Sequence, residues 1–394
     1  MNKLPKGFFA NGIHCGLKKK RKDLALFYSE KDCKVSALFT TNVVKAAPVI
    51  LGIEAVRKKK PVKAVLINSG NANCMTGSRG LEDARDMAAM AAKELGVPKT
   101  AVLVSSTGVI GQAMPMEPFE KGIHRLVRGL SRSGLHDAAE GIITTDRFPK
   151  KMTRTFTAGG KTVTMTGVAK GAGMIHPNMA TMLCYVMTDA NITKKAMDKA
   201  LFSSAEVSFN AITVDGDMST NDTVMLLANG EAGNRVIGNS GRDLAVFQEN
   251  LDQVMKELAK MIVRDGEGAS KFIEVHVKGA RTKTGAKKAA EAIASSMLVK
   301  CAVQGGDPNW GRIASSVGSS GIRFDPDKME IKMDGVTFFK KGSVVSSREE
   351  ETGHVFKGKD VSIEVNLHRG KSEATFCSCD ISKRYITLNS YYTT

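Results

Sequence analysis

Thr181 has a setting that simple packing does not explain. It stands in VAKGAGMIHPNMATMLCYVMTDA, Val168 to Ala190, where glycines and small residues lead to a Pro-Asn turn, then to Ala180-Thr181 and an apolar run. The stretch holds one histidine and no carboxylate before Asp189. A threonine hydroxyl is a weak nucleophile until a base takes its proton. One self-contained base is the threonine's own α-amine, which titrates near about pH 8 and so keeps a neutral fraction at physiological pH. An internal threonine has no such amine, and cleavage of the Ala180–Thr181 bond would create one. Gly171, Gly173 and Asn178-Met179-Ala180 offer the backbone freedom that a strained scissile bond would need. A small-residue loop running into a buried strand is an ordinary reading of the same residues, and composition does not separate the two.

Other chemistries leave weaker traces. KGAGMIH lacks the third glycine of the dinucleotide fingerprint, GAKK lacks the Walker spacing, and VSSTGVIG follows a strand but is also incomplete. No G-x-S-x-G elbow is present, and a Ser-His-Asp triad is neither shown nor excluded by spacing. The histidines are scattered without H-E-x-x-H, and Cys377-Ser-Cys379 has no second pair, so no metal site is expected. Seven cysteines spread over the chain read as small buried hydrophobes of a reducing compartment.

These residues need a scaffold. At 394 residues the chain exceeds one ordinary core, and 42% hydrophobic with 25% charged residues fits a globular protein. No apolar run is long enough for a membrane span, and the first residues lack a signal-peptide pattern, so a cytoplasmic location is expected. The net charge of +17 gathers in KKKRK, Lys18 to Lys22, and RKKKP, Arg57 to Pro61. Aromatics are 6% and do not alternate with the basic runs, which favours solvated turns and helix ends over a nucleic-acid footprint.

Short apolar segments alternate with amphipathic ones, which predicts an α/β class. VKAVLINSGNANC and TAVLVSSTGVIG read as buried strands ending in small-residue turns, TMLCYVMTDA and NDTVMLLANG as further strands. Helical spacing runs through GLEDARDMAAMAAKELGV, MEPFEKGIHRLVRGL, KKAMDKALFSSAEVSFNAI and a long segment ending at Gly266. KFIEVHVKG reads as a strand and GAKKAAEAIASSMLV as a helix, and strands that alternate apolar and polar residues follow. A soft boundary falls near residue 280, giving a core domain over 1–280 and a smaller α/β domain over 281–394, with no linker between them.

KGAGMIHPNMATML resembles the processing signature of the ornithine acetyltransferase family, the bifunctional glutamate N-acetyltransferases of arginine biosynthesis. NSGNANCMTG, SSTGVIG, TTDRFPK, VDGDMSTND, GDPNWGRI and a short C-terminus from Asn389 resemble that family in its order, and the resemblance spans essentially the whole chain. It implies an N-terminal-nucleophile-like fold with a layered helix-sheet-sheet-helix core. It implies self-cleavage between Ala180 and Thr181 into an α segment, 1–180, and a β segment, 181–394, assembled as a heterotetramer of two of each.

By the same resemblance Thr181 is the nucleophile of processing and of acetyl transfer from N2-acetylornithine to glutamate. Thr107 and Gly108 form the oxyanion hole. Thr144, Lys170, Thr181, Glu267, Asn389 and Thr394 contact substrate, with Thr145 an alternative to Thr144. Some members of the family also accept acetyl-CoA, and no other cofactor is implied. Asp307 to Arg312 reads as a structural turn near the site. Arg147 stands where the family more often has threonine, and the tail NSYYTT departs from the commoner pattern. The competing enzyme reading is an aminopeptidase or amidase with the same nucleophile. A basic RNA-binding protein is the competing reading of another class, and neither a nucleic-acid nor a membrane partner is expected.

Overall fold

The computed structural model describes residues 2–176, 182–345 and 352–391. Ala180, Thr181 and Thr394 lie outside them. The strands are β1 (Phe8–Ile13), β2 (Leu24–Phe39), β3 (Val62–Asn71), β4 (Val102–Val109), β5 (Lys150–Ala158), β6 (Lys161–Lys170), β7 (Leu183–Thr188), β8 (Thr223–Ala228), β9 (Phe272–Ala280), β10 (Glu330–Met333), β11 (Val336–Lys340), β12 (Ser343–Val344), β13 (Asp360–Asn366) and β14 (Ser372–Cys379). The helices are α1 (Ala47–Arg57), α2 (Gly77–Leu95), α3 (Glu117–Arg128), α4 (Leu135–Ile142), α5 (Lys194–Glu206), α6 (Arg242–Arg264), α7 (Lys283–Ser295), α8 (Met297–Gly305), α9 (Trp310–Gly318) and α10 (Lys383–Tyr391).

Side-chain alternation builds the layers, because successive residues of a strand face opposite sides of a sheet. Ala64 and Leu66 of β3 pack with Met87, Phe119 and Ile123 of α2 and α3, whereas Val65 and Ile67 point the other way. In β8, Val224 and Leu226 pack under Leu201, Phe247 and Leu258 of α5 and α6, whereas Met225 and Leu227 face Val65 and Ile67. The result is helix, sheet, sheet, helix, as expected. Phe27 of β2 meets Tyr185 of β7 between the sheets, ring centroids 5.6 Å apart. β2 serves both sheets. Its first part pairs with β1 and β3, and Lys34–Phe39 pairs with β8. The order β4-β3-β2-β8-β7-β6-β5 therefore folds over itself along one bent strand.

A separate sheet outside this core has the order β12-β11-β10-β13-β9-β14 and is antiparallel except for β9 with β13. Ala286, Ala289 and Ile293 of α7 cover Val275 and Val277 of β9. β9, read within residues 1–280, is an inner strand of this sheet. Its apolar run resembles the strands of the first sheet, which is why patterning alone assigned it there. The helix expected over GAKKAAEAIASSMLV breaks at Ser296, whose side chain accepts from Val299 N and so starts α8 instead. Trp310 opens α9 and stacks on Phe339 at 5.2 Å, so GDPNWGRI is a helix start in the second layer. All seven cysteines are free thiols, and five are buried, but Cys301 is exposed. Among the described residues no helix is long and apolar enough to cross a membrane.

One buried lysine fastens the two layers. Lys300 of α8 donates to Val214 O at 3.0 Å, Ser378 Oγ at 2.5 Å and Cys379 O at 2.6 Å. Burial lowers its pKa, and Asp215 and Asp380 resist that. Replacing it by Met leaves three buried acceptors unmet, so Lys300→Met is expected to cost about 2–4 kcal/mol, read as a lower urea midpoint at unchanged m.

Candidate active site

Thr107 and Gly108 end β4, beside the Ser69-Gly70-Asn71 turn of β3. Gly108 has φ +134°, and a Cβ there would sit 2.3 Å from the Gly70 carbonyl carbon, so only glycine fits. Asn221 locks this corner to the start of β8, donating to Ala72 O at 2.7 Å and Ser106 O at 2.8 Å. A cleft of about 220 Å³ opens here. Thr107, Gly108, Thr144, Thr145, Lys170, Glu267 and Asn389 all line it, although they come from five separate stretches of chain.

The approach to the expected scissile bond is pinned by hydrogen bonds in its described part, with Gly171 at φ +152°, a conformation that glycine allows. Gly171 N donates to Asp146 Oδ1 at 2.7 Å, and Met174 N and Ile175 N donate to the Asp215 carboxylate at 2.6 and 2.8 Å. Glu267 N donates to Ala172 O at 2.8 Å and Val214 N to Ile175 O at 2.9 Å. Gly173 permits close approach, since a Cβ there would lie 2.5 Å from the Glu267 carboxyl carbon. Glycine serves proximity at this point. Glu267 also accepts from Asn389 Nδ2 at 2.9 Å, which seats α10 on the cleft.

Behind the lining lies a buried ionic cluster that sequence reading missed. Lys150, with no exposed surface, donates to Asp146 Oδ1 and Asp265 Oδ2, both at 2.6 Å. Asp146 also accepts from Thr144 N at 3.0 Å. Arg147 joins the cluster, its Nε 2.8 Å from Asp265 Oδ1 and its Nη2 2.7 Å from Arg264 O, so this departure from the commoner threonine has a partner of its own. Part of the basic run closes the same turn from outside. Lys18 Nζ donates to Ile143 O at 2.8 Å and Arg21 Nη1 to Asp146 O at 3.1 Å. Those cations bind this chain's own carbonyls.

Lys170 is 8% exposed and lines the cleft, with no hydrogen-bond acceptor among the described residues. Burial lowers its pKa, and the carboxylates of Asp146, Asp222 and Glu267 pull it back up. An ammonium so placed would gain from an anionic ligand. Glu267 offers the opposite charge in the same cleft. The geometry suits a small molecule carrying both a carboxylate and an amine, beside the Thr107-Gly108 corner.

The whole of residues 9–394 matches the ArgJ family. The chain belongs to the ArgJ family. It is 48% identical over 395 residues to the arginine biosynthesis bifunctional protein ArgJ of Caldanaerobacter subterraneus subsp. tengcongensis, covering 99% of this chain and 98% of that protein. It is also 48% identical to its namesake in Geobacter sulfurreducens over 391 residues, with 99% of each chain covered. Among solved structures, ArgJ from Bacillus halodurans superposes with a TM-score of 0.52 at 39% identity, over 54% of this chain and 100% of that one.

Beyond the ArgJ positions named from sequence, the cleft is lined by Asp215, Ser219, Thr220 and Asn221, from VDGDMSTND, and by Tyr385. The motif signalled the first four without giving them roles. Nothing in the sequence pointed to Tyr385, whose phenol pKa is raised by burial and by Asp215 and Glu267. Asp307 to Arg312 do not line the cleft.

Removing the central cation tests the cluster. Burial alone would raise the Asp146 carboxyl, but Lys150 and Lys170 bring it down to about 2. Its contribution to stability is thus complete above the ordinary carboxylate range and lost as pH falls toward 2. Lys150→Met should destabilise by about 3–5 kcal/mol at neutral pH, because two buried carboxylates lose their cation. The acid limb of unfolding, followed by circular dichroism, should move to higher pH.

Proposed function

We propose that this chain is the glutamate N-acetyltransferase of arginine biosynthesis, moving the acetyl group of N2-acetylornithine to glutamate through an acetyl-threonine at Thr181. The observation that carries the reading is one cleft holding a buried lysine without an acceptor, a carboxylate, and the Thr107-Gly108 corner, in a chain whose relatives are bifunctional proteins of arginine biosynthesis. Lys170 receives the substrate α-carboxylate, and Glu267 with Asn389 receives the side-chain ammonium of ornithine. Cleavage between Ala180 and Thr181 frees the amine that takes the Thr181 hydroxyl proton as the oxygen attacks the acetyl carbonyl. The oxyanion settles on the Thr107 hydroxyl and the Gly108 N–H. Ornithine leaves with the proton, glutamate enters with its α-carboxylate on Lys170, and its amine takes the acetyl group as the Thr181 oxygen regains a proton.

The scheme needs no bound cofactor. A second reaction with acetyl-CoA as donor fits the word bifunctional in the relatives' name, and the paired segments assemble as a cytoplasmic heterotetramer, with Thr394 a further substrate contact.

Intact mass of the purified protein beside Thr181→Ala tests the processing. Two fragments joining at Ala180–Thr181 are expected for the former and one uncut chain for the latter. Acetylglutamate formed from acetylornithine and glutamate, against acetate alone, separates transfer from the amidase reading. Lys170→Met should raise KM for both carboxylate substrates about 10–100-fold with a smaller effect on kcat. Because burial lowers the Lys170 pKa, KM of the unsubstituted enzyme should climb at a pH where an ordinary lysine is still charged.

A further inference from the structure

Tyr385 lines the cleft and has no role in the scheme above. Close backbone contact brings it there. Gly268, at φ +70°, lies against the first turn of α10, since a Cβ on it would sit 2.4 Å from Tyr385 N. Ser382 Oγ donates to Gly268 O at 2.6 Å, and Tyr385 N donates to Ser382 O at 3.0 Å. The start of α10 is therefore fixed to the residue after Glu267, and the half-buried Tyr385 reaches the same cleft as that carboxylate.

Hydrogen-bond direction shows what this end of the cleft can hold. The amide nitrogen of Asn389 has two hydrogens. One goes to Glu267 Oε2 at 2.9 Å and the other to Tyr385 O at 3.1 Å. Only the amide oxygen of Asn389, an acceptor, is left for a ligand. Glu267 as a carboxylate accepts and cannot donate. The phenol hydrogen of Tyr385 goes to the Asp215 carboxylate, which Met174 N and Ile175 N hold in place, so the phenol too offers its oxygen lone pairs. Burial with Asp215, Glu267 and Asp217 nearby raises the phenol pKa, so the hydroxyl keeps its proton at neutral pH. Asn389, Glu267 and Tyr385 thus all present acceptors.

Lys170 marks the opposite end. The charges that act most on it are Asp146, Asp222, Lys150 and Glu267, and those that act most on the phenol are Asp215, Glu267 and Asp217. Glu267 therefore lies between the two ends. Asp222 belongs to the lysine end; it is 3% exposed, and neither of its oxygens has a hydrogen-bond partner among the described residues.

We infer that Tyr385 is a specificity-determining residue for the acetyl donor, its phenol oxygen accepting from the terminal ammonium of N2-acetylornithine. With Glu267 and the Asn389 amide oxygen it makes three acceptors for the three ammonium hydrogens. The inference rests on the function proposed above and adds the group that selects a side-chain cation. Glutamate has no side-chain donor to offer the phenol. The hydroxyl therefore favours one substrate and gives the other nothing.

Tyr385→Phe keeps the ring and removes the hydroxyl. N2-acetylnorvaline, with the same carbon chain and no terminal amine, is the comparison donor. With glutamate as acceptor, the ratio of kcat/KM for N2-acetylornithine to that for N2-acetylnorvaline should fall about tenfold or more in the variant. KM for glutamate should stay within about threefold. A tyrosine needed only for packing leaves the ratio unchanged, and a phenol that serves both substrates raises KM for glutamate as well. Either result overturns the proposal. Should Tyr385→Phe fail to fold or to be cut, carbon-13 NMR of the unsubstituted protein, labelled at the tyrosine phenol carbon, decides. One phenol signal should move with ornithine, stay with norvaline, and still respond in Tyr391→Phe; if no signal behaves so, the inference is refuted. Absence of acetyl transfer in the unsubstituted enzyme would instead be a failure of the acetyl-threonine reading, and calorimetry then tests the phenol by itself. Ornithine should bind Tyr385→Phe about tenfold or more weakly with norvaline unchanged, and an equal effect on the two ligands overturns the assignment.

Discussion

The site depends on one buried cation. Lys150 bridges Asp146 and Asp265, and each carboxylate holds a different part of the cleft. Asp146 fixes Thr144 through its own N–H and fixes Gly171, the residue after Lys170. Asp265 ends α6 two residues before Glu267. Three lining positions from distant stretches of chain are therefore set by one ionic cluster. Taking two carboxylates and an ammonium out of water is costly, and only near-complete hydrogen bonding offsets it. The cluster meets that condition through Arg147 and the backbone N–H groups already described. Such an arrangement has little tolerance for movement, which is what a charge-reading cleft requires.

The same electrostatics explain why Lys170 remains useful though buried. Asp146, Asp222 and Glu267 surround it, while Lys150 opposes it. The carboxylates offset part of the lowering that burial imposes on the ammonium. Asp146 is satisfied by Lys150 and Gly171, and Glu267 accepts from Asn389, and no described carboxylate bonds Lys170 directly.

Much of this was legible from sequence where the signal was local. Strand and helix periodicity in β3, β4, β7, β8, α2 and α3 reflects one buried face or two, and the chain shows it within a few residues. The family motifs located Thr107, Gly108, Lys170, Glu267 and Asn389, which the fold brings to one cleft. Lys150 and Asp265 were not legible because each is ordinary by type and their partnership spans 115 residues. Asp222 was quoted within VDGDMSTND, yet burial without a partner is a property of the fold alone. The glycines before Thr181 divide between two uses, since Gly171 takes φ +152° while Gly173 serves close approach. Glycine marks close approach as well as freedom, and Gly173 is there so that Glu267 can lie over it. β9 misled because an inner strand looks alike in either sheet.

The topology also explains how a chain could be cut here and hold together. β6 and β7 are antiparallel neighbours with Lys170 opposite Leu183, so the connection between them begins and ends at one place in the sheet. Among the described residues, no ladder hydrogen bond of β6 with β7 lies beyond that pair. The two proposed segments remain joined by β6 against β7 and by β2 against β8, and their side chains share the core between the sheets. The approach is held as far as Ile175, and the far side is held again from Met182 by Thr223.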